Sequence, residues 1–257
     1  MKEDLSEIIK HENEHWTKVF QAELKKATDK KFSTFWWQDY YEQLSGYINT
    51  LLIDNDLNII LESGSGSGKA TILLDKRFKK TLLDISSAAL KYAKYLADLF
   101  EAGEPRLIEG DIFAMPFQDK SFDFVWNIGV IEHYDMGDIY SILKEMVRVC
   151  GAGGIVAVGM PNAYSGPIIK AKILKYLKFI PGYRIDTEHF YGNKEIENLI
   201  RGAAEDLGRK ISYVEVRYFG NPLIMETPRY IIRTLGSTIS RLFVRNRFLI
   251  LVICKFE

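Results

Sequence analysis

Glu62 closes the apolar run Ile59-Ile60-Leu61, and Gly64, Gly66 and Gly68 then take every second position. Glycine has no Cβ and accepts positive φ, so this turn can bring bare backbone against a ligand. The chemistry it suits is close-range binding of a nucleoside-containing molecule. A P-loop, G-x-x-x-x-G-K-[ST], finds its end in Gly68-Lys69. It meets Ser63 where the first glycine belongs, however, and Ala70 where a magnesium-binding hydroxyl belongs. A dinucleotide fingerprint, G-x-G-x-x-G, fails from both starts: the sixth position is Lys69 counted from Gly64 and Thr71 counted from Gly66. A turn with no ligand is the third reading, and four downstream segments argue against it.

Thr81-Leu82-Leu83-Asp84-Ile85 places a carboxylate about 20 residues past the turn, where α/β nucleotide folds hold ribose hydroxyls. Arg106 to Ile112 is a second short run closing on acid, at Gly110-Asp111. Ser121 to Gly129 reads as a strand ending in Asn127-Ile128-Gly129, and Gly153 to Asn162 as a buried strand ending in Pro161-Asn162. Each puts its polar residues at the carboxyl end, the edge where open parallel sheets bind ligands.

Taken in order, these segments resemble a class I S-adenosylmethionine-dependent methyltransferase over residues 58–200. The resemblance rests on Glu62-x-Gly64-x-Gly66-x-Gly68, Asp84, Gly110-Asp111, Phe122-Asp123, Ile131-Glu132-His133-Tyr134, Glu145-x-x-Arg148-Val149 with Gly153-Gly154, and Met160-Pro161-Asn162. The flavour is that of the broad group containing the quinone-biosynthesis methyltransferases. Ser63, Ser65 and Ala152 depart from the residues usual in that group, and Lys69 puts a cation at a helix start, mildly unfavourable with the dipole.

The resemblance implies a cofactor, S-adenosylmethionine, leaving as S-adenosylhomocysteine (SAH). It also implies roles: Gly64, Ser65 and Gly66 under the methionine end, with Glu62 fixing that loop and the amino group. Asp84 would take the ribose hydroxyls and Ile85 pack on adenine. Asp111 would accept from the adenine amino group beside the backbone of Ile112, and Asn127 and Ile128 would stand near the methionine moiety. Two histidines are candidate general bases, since imidazole ordinarily titrates near pH 6.5: His133, and His189 in Thr187-Glu188-His189-Phe190-Tyr191. Each has the alternative of a purely structural hydrogen bond. His11 and His15 are i, i+4 on one helix without H-E-x-x-H, and read as a surface pair with no metal.

Positioning these residues requires an α/β fold: a Rossmann-like, seven-stranded, mostly parallel sheet with an antiparallel edge strand and helices on both faces. Helices are expected at 86–100, capped by Ser86 and facing the sheet with Leu90, Ala93, Leu96, Ala97 and Phe100, at 137–149, ended by Gly151, and at 195–207. Strands at 211–218 and 248–256 complete the sheet. Residues 1–52 form an aromatic-rich helical cap and 53–257 the core, with helical insertions at about 163–185 and 222–245.

Acidic and basic residues balance at 34 each, so no global charge attracts nucleic acid. Cys150 and Cys254 stand at no metal-ligand spacing. Met1-Lys2-Glu3-Asp4 lacks an apolar signal core, and no apolar run nears the roughly 20 residues of a span, so a cytoplasmic enzyme is expected. Phe35-Trp36-Trp37-Gln38-Asp39-Tyr40-Tyr41 either docks its helix on the core, the favoured reading, or lines the pocket. Gly166 to Gly182 and Arg229 to Leu242 are basic and amphipathic, either packed helices or a lid and membrane-surface contact. The expected partner is a small-molecule acceptor, lipid-like or isoprenoid. The rival is a protein of the same fold that binds the cofactor without turnover or transfers an aminopropyl group.

Overall fold

A computed structural model describes residues 5–26, 34–176 and 188–257 of the chain. Helices α1 (Leu5–Lys26) and α2 (Phe35–Asp54) precede β1 (Ile59–Ser63), α3 (Lys69–Ile72), β2 (Lys79–Asp84), α4 (Ser87–Leu99), β3 (Arg106–Glu109) and β4 (Phe122–Ile128). Then come α5 (Met136–Val149), β5 (Cys150–Pro161), α6 (Gly166–Tyr176), α7 (Asn193–Asp206), β6 (Ile211–Phe219), α8 (Arg229–Leu242) and β7 (Leu249–Phe256). The strands form one sheet in the order β3-β2-β1-β4-β5-β7-β6. Pairing is parallel from β3 to β5, and β7 runs antiparallel to both β5 and β6. The order reverses between β1 and β4, the switch point at which such sheets leave a crevice.

Strands buried on both faces carry continuous apolar runs, and β4 shows why. Phe124 and Trp126 enter a cluster with Trp36, Tyr40, Leu44 and Ile48 of α2 on one face. Val125 enters the opposite cluster with Ile139, Leu143 and Met146 of α5 and Ile196 and Ile200 of α7. Most of the aromatic run 35–41 is therefore core: Trp36 and Tyr40 are buried, and Trp36 Nε1 donates to the Leu223 carbonyl at 2.9 Å. A third cluster joins Trp16 and Phe20 of α1 to Tyr92, Ala93 and Leu96 of α4.

Ser86 caps α4, its Oγ accepting from the Ala89 N–H. Leu90, Ala93, Leu96 and Ala97 are buried as the periodicity predicts, but Phe100 is not, because the helix stops at Leu99. Its ring instead lies 5.2 Å from the Lys69 ammonium, which also sits 5.0 Å over the Tyr41 ring. Two aromatic faces thus receive the cation expected to oppose a helix dipole, and α3 is a single turn with little dipole to oppose. Gly151 does not end α5, since the chain passes straight from Val149 into β5. The carbonyls left at that end are satisfied by Arg209, which donates to Val147, Cys150 and Gly151 at 3.1, 2.7 and 2.7 Å. The basic segment read over 166–182 is helical to Tyr176; residues 177–187 lie outside the described residues.

Gly68 has φ +61°, and a Cβ there would stand 2.4 Å from Cδ1 of the fully buried Leu82. Gly68→Ala is expected to cost about 2–3 kcal/mol, from strained backbone plus overpacking. At Gly103, φ is +84° but nothing lies within 4 Å of the added carbon, so Gly103→Ala should cost about 1 kcal/mol. Urea midpoints of the two variants measure the difference.

Candidate functional site

The glycine turn is left-handed at each glycine, with φ of +69°, +51° and +61° at Gly64, Gly66 and Gly68. Few side chains tolerate that region, so the alternation is a backbone requirement. Neighbouring strands hold the turn. Ser65 N–H donates to the Leu83 carbonyl at 2.9 Å, and Asn127 Nδ2 donates to the Ser63 carbonyl at 2.7 Å. Asp84 accepts from Gly66 N–H at 2.7 Å and, through its other oxygen, from Ser86 N–H at 2.8 Å. Burial raises the Asp84 carboxyl above its ordinary range, and these backbone N–H bonds oppose the rise.

A cleft of about 740 Å³ opens over this turn at the carboxyl ends of β1, β2, β3 and β4. Gly64, Ser65, Gly66, Asp84, Ile85, Asp111, Ile112, Ile128 and His133 all line it. Asp111 bends its own loop by accepting from Phe113 N–H at 2.9 Å. That loop is fastened from behind by Arg148, which pairs with Glu145 and donates to the carbonyls of Met115 and Phe117. A second cavity, of about 690 Å³, lies at the amino ends of the same strands and is lined by Lys76, Arg77, Lys79 and Arg106. Only the carboxyl-end cleft sits where parallel sheets bind ligands.

Glu62 and Asn127 are not among the lining residues. Glu62 is buried beneath the turn and takes hydrogen bonds from Thr71, and burial pushes its carboxyl up to about 7. Asn127 spends its Nδ2 on the Ser63 carbonyl, which leaves Oδ1 without a partner among the described residues. His189 also differs from expectation. Its ring is exposed and stacks on Tyr191 at 6.0 Å, and its side chain is not among the lining residues. The cause is local: its N–H donates to the Glu132 carbonyl at 2.7 Å and Tyr191 Oη to the Tyr134 carbonyl at 2.6 Å, so the segment crosses outside the turn that carries His133. His15 is exposed and edge-on to Trp16; the side chain of His11 lies outside the described residues.

Trp16, Val19, Phe20 and Glu23 of α1 also line the cleft, with Trp37, Met225 and Phe248. None of the α1 four was singled out from the sequence, although their spacing of three, one and three marks one helical face. Trp16 meets the His133 ring edge-on at 5.7 Å, and a Cβ on Gly66 would stand 3.2 Å from the Phe20 ring. A hydroxyl pair between Thr17 and Ser86, 2.9 Å apart, fixes α1 to the start of α4.

Residues 61–158 match the family described as a methyltransferase domain. Over that stretch the chain is similar to methyltransferase domains. The demethylmenaquinone methyltransferase of Staphylococcus aureus (strain JH9) is 33% identical over 119 residues, 45% of this chain and 48% of the relative. The chain thus spans about half the length of the curated relatives it matches. Beyond the matched stretch, the fold as a whole has solved counterparts. A magnesium protoporphyrin IX methyltransferase from Synechocystis PCC 6803 with bound SAH aligns with TM-score 0.61, 13% identity, 97% of this chain and 100% of that one. A possible histamine N-methyltransferase from Thermotoga maritima aligns with TM-score 0.58, 16% identity and 95% and 99% coverage.

Glu132, in the helical turn Ile131–His133, is buried, and its carboxyl is pushed up to about 8 by burial and then by the charge of Glu188. The native state therefore holds a proton that the unfolded chain releases above about pH 4.5. Between that value and 8 each rise in pH favours unfolding. Glu132→Gln is expected to flatten this slope, leaving stability at pH 5 nearly unchanged and raising it at pH 9 by roughly 2–4 kcal/mol. Urea titrations at the two pH values check it.

Proposed function

We propose that this chain transfers a methyl group from S-adenosylmethionine to an apolar small-molecule acceptor, of lipid-like or isoprenoid character. The observation that carries the reading is one cleft with two chemistries. Its floor is the glycine turn with two carboxylates, and its walls are Trp16, Phe20, Trp37, Met225 and Phe248.

The floor suits the cofactor by its unmet polar groups. Glu62 Oε2, Ser65 Oγ and Asn127 Oδ1 are buried around the turn and have no hydrogen-bond partner among the described residues. Buried polar atoms without partners are costly; of the three, Ser65 lines the cleft, and its hydroxyl suits a ligand bearing an ammonium and hydroxyls. In this reading Gly64, Ser65 and Gly66 hold the methionine end. Asp84 keeps lone pairs for ribose hydroxyls after its two backbone bonds, Asp111 accepts from the adenine amino group, and Ile85, Ile112 and Ile128 pack on the apolar faces. When bound, the cofactor supplies an electrophilic methyl group on a sulfonium.

What the chain's own residues do is orient, dry the cleft and move a proton. Helix α1 covers the turn and excludes water, so the amino-terminal helices act as a cap on the core that follows. His133 lines the cleft wall edge-on to Trp16, which supports it as the group that would take a proton from an acceptor hydroxyl or acidic carbon. His189 stands outside in this assignment.

Asp84→Asn is expected to weaken S-adenosylmethionine binding by about 10- to 100-fold, the scale of a lost charged hydrogen bond, with unchanged circular dichroism. Unchanged affinity by calorimetry would remove Asp84 from the cofactor. His133→Gln should lower kcat by about 100-fold or more on an isoprenoid quinol while cofactor affinity holds. Tight cofactor binding with no turnover on apolar or polar acceptors would instead favour a non-catalytic binder.

A further inference from the structure

Twelve large apolar side chains are exposed among the described residues, and nine of them fall within 164–173 and 224–244. Tyr164, Tyr230 and Leu242 are each about 70% exposed (73%, 69% and 74%), and Ile173, Leu235 and Phe243 more than half. On α8 the residues that face the core are Ile232, Gly236 and Ser240, at spacing four. Ile231, Leu235, Ile239 and Leu242 form a second apolar stripe beside them, which a helix docked only on its own core has no reason to carry.

The two segments are one surface. Gly166 N–H donates to the Pro222 carbonyl at 2.9 Å, and Asn246 Nδ2 to the Tyr164 carbonyl at 2.9 Å. Lys170 of α6 pairs with Glu226. The charge on this surface is one-sided. Residues 164–176 and 224–247 contain Lys170, Lys172, Lys175, Arg229, Arg233, Arg241, Arg245 and Arg247, against Glu226 alone, in a chain whose total charge is zero. Glu226 is already paired, while Lys175, Arg233, Arg241 and Arg245 are exposed.

We propose that α6, α8 and the turn after α8 are a docking face for an anionic lipid bilayer. Exposed apolar side chains interleaved with cations are what lets a helix lie in the headgroup layer, apolar groups inserted and long cationic side chains reaching the phosphates. Charge decides the occupant: a second copy would set this cationic face against itself. No described helix is long and apolar enough to cross a membrane, so the contact is at the surface. The face also adjoins the cleft, since Met225 and Glu226 line it one residue past the exposed Ile224. That an acceptor passes from bilayer to cleft rests on the function proposed above; the docking does not.

The test is co-sedimentation of the full chain with vesicles of phosphatidylcholine alone or mixed equally with phosphatidylglycerol. The expected result is binding to the anionic vesicles only, reversed by high salt, and weakened about tenfold or more in Arg233→Glu/Arg241→Glu. Leu235→Ser/Leu242→Ser should weaken it also, and both variants should keep parental S-adenosylmethionine affinity. No sedimentation at low salt, or equal binding to neutral vesicles, overturns the proposal. So does a dimer in sedimentation velocity that Leu242→Glu dissociates, since the face would then cover a second copy. Loss of cofactor binding with vesicle binding intact would count against the proposed function alone.

Discussion

The structure depends on a turn that must be left-handed three times within five residues. Gly64, Gly66 and Gly68 supply the φ values, yet glycine alone leaves a turn floppy, since it loses the most conformational freedom on ordering. Rigidity comes from the neighbours. Leu83, Asp84 and Asn127 each hold one peptide of the segment 63–66, and they belong to β2 and β4, the strands on either side of β1. The turn is therefore as rigid as the sheet. The sheet order is what puts those three residues within reach, because β1 must lie between β2 and β4 for both clamps to close. Leu82 beneath Gly68 then leaves no room for any other residue at that corner.

From this constraint the electrostatics follow. Holding the turn by side chains consumes polar groups in a dry place: Glu62 is buried below it and Asp84 beside it, and burial raises both carboxyls, as it does that of Glu132 in the turn after β4. Such crowding of acids is unfavourable to the fold by itself and marks a site built for something other than stability. A ligand with a positive charge and several donors relieves it. The aromatic wall from α1 does the complementary work, removing water so that those interactions gain strength.

Most of the sheet was legible in the sequence, because its strands end in residues of unlike chemistry to their interiors and its helices repeat at 3.6. The lining residues Gly64, Asp84, Asp111 and His133 were legible for the same reason. Glu62 and Asn127 lie off the cleft lining, because pattern alone does not tell a side chain that faces a cleft from one whose contacts run to the loop and to Thr71. Tertiary context decides where Phe100 and His189 sit: one helix stops a residue early and its next ring lies beside Lys69, and one segment is tied outside the cleft by Tyr191. The contribution of Trp16 and Phe20 was hidden because α1 is about 45 residues from the turn it covers, and an amphipathic face names no partner.

The turn from Glu62 to Gly68, with Asp84, is proposed as a cradle for a methionine-linked adenosine. Calorimetric titration of the unmodified chain with S-adenosylhomocysteine, NAD and ATP tests it most directly. The expected result is one site with about micromolar affinity for S-adenosylhomocysteine, near −8 kcal/mol, and no measurable heat with the other two. Binding of NAD or ATP in place of S-adenosylhomocysteine would contradict it.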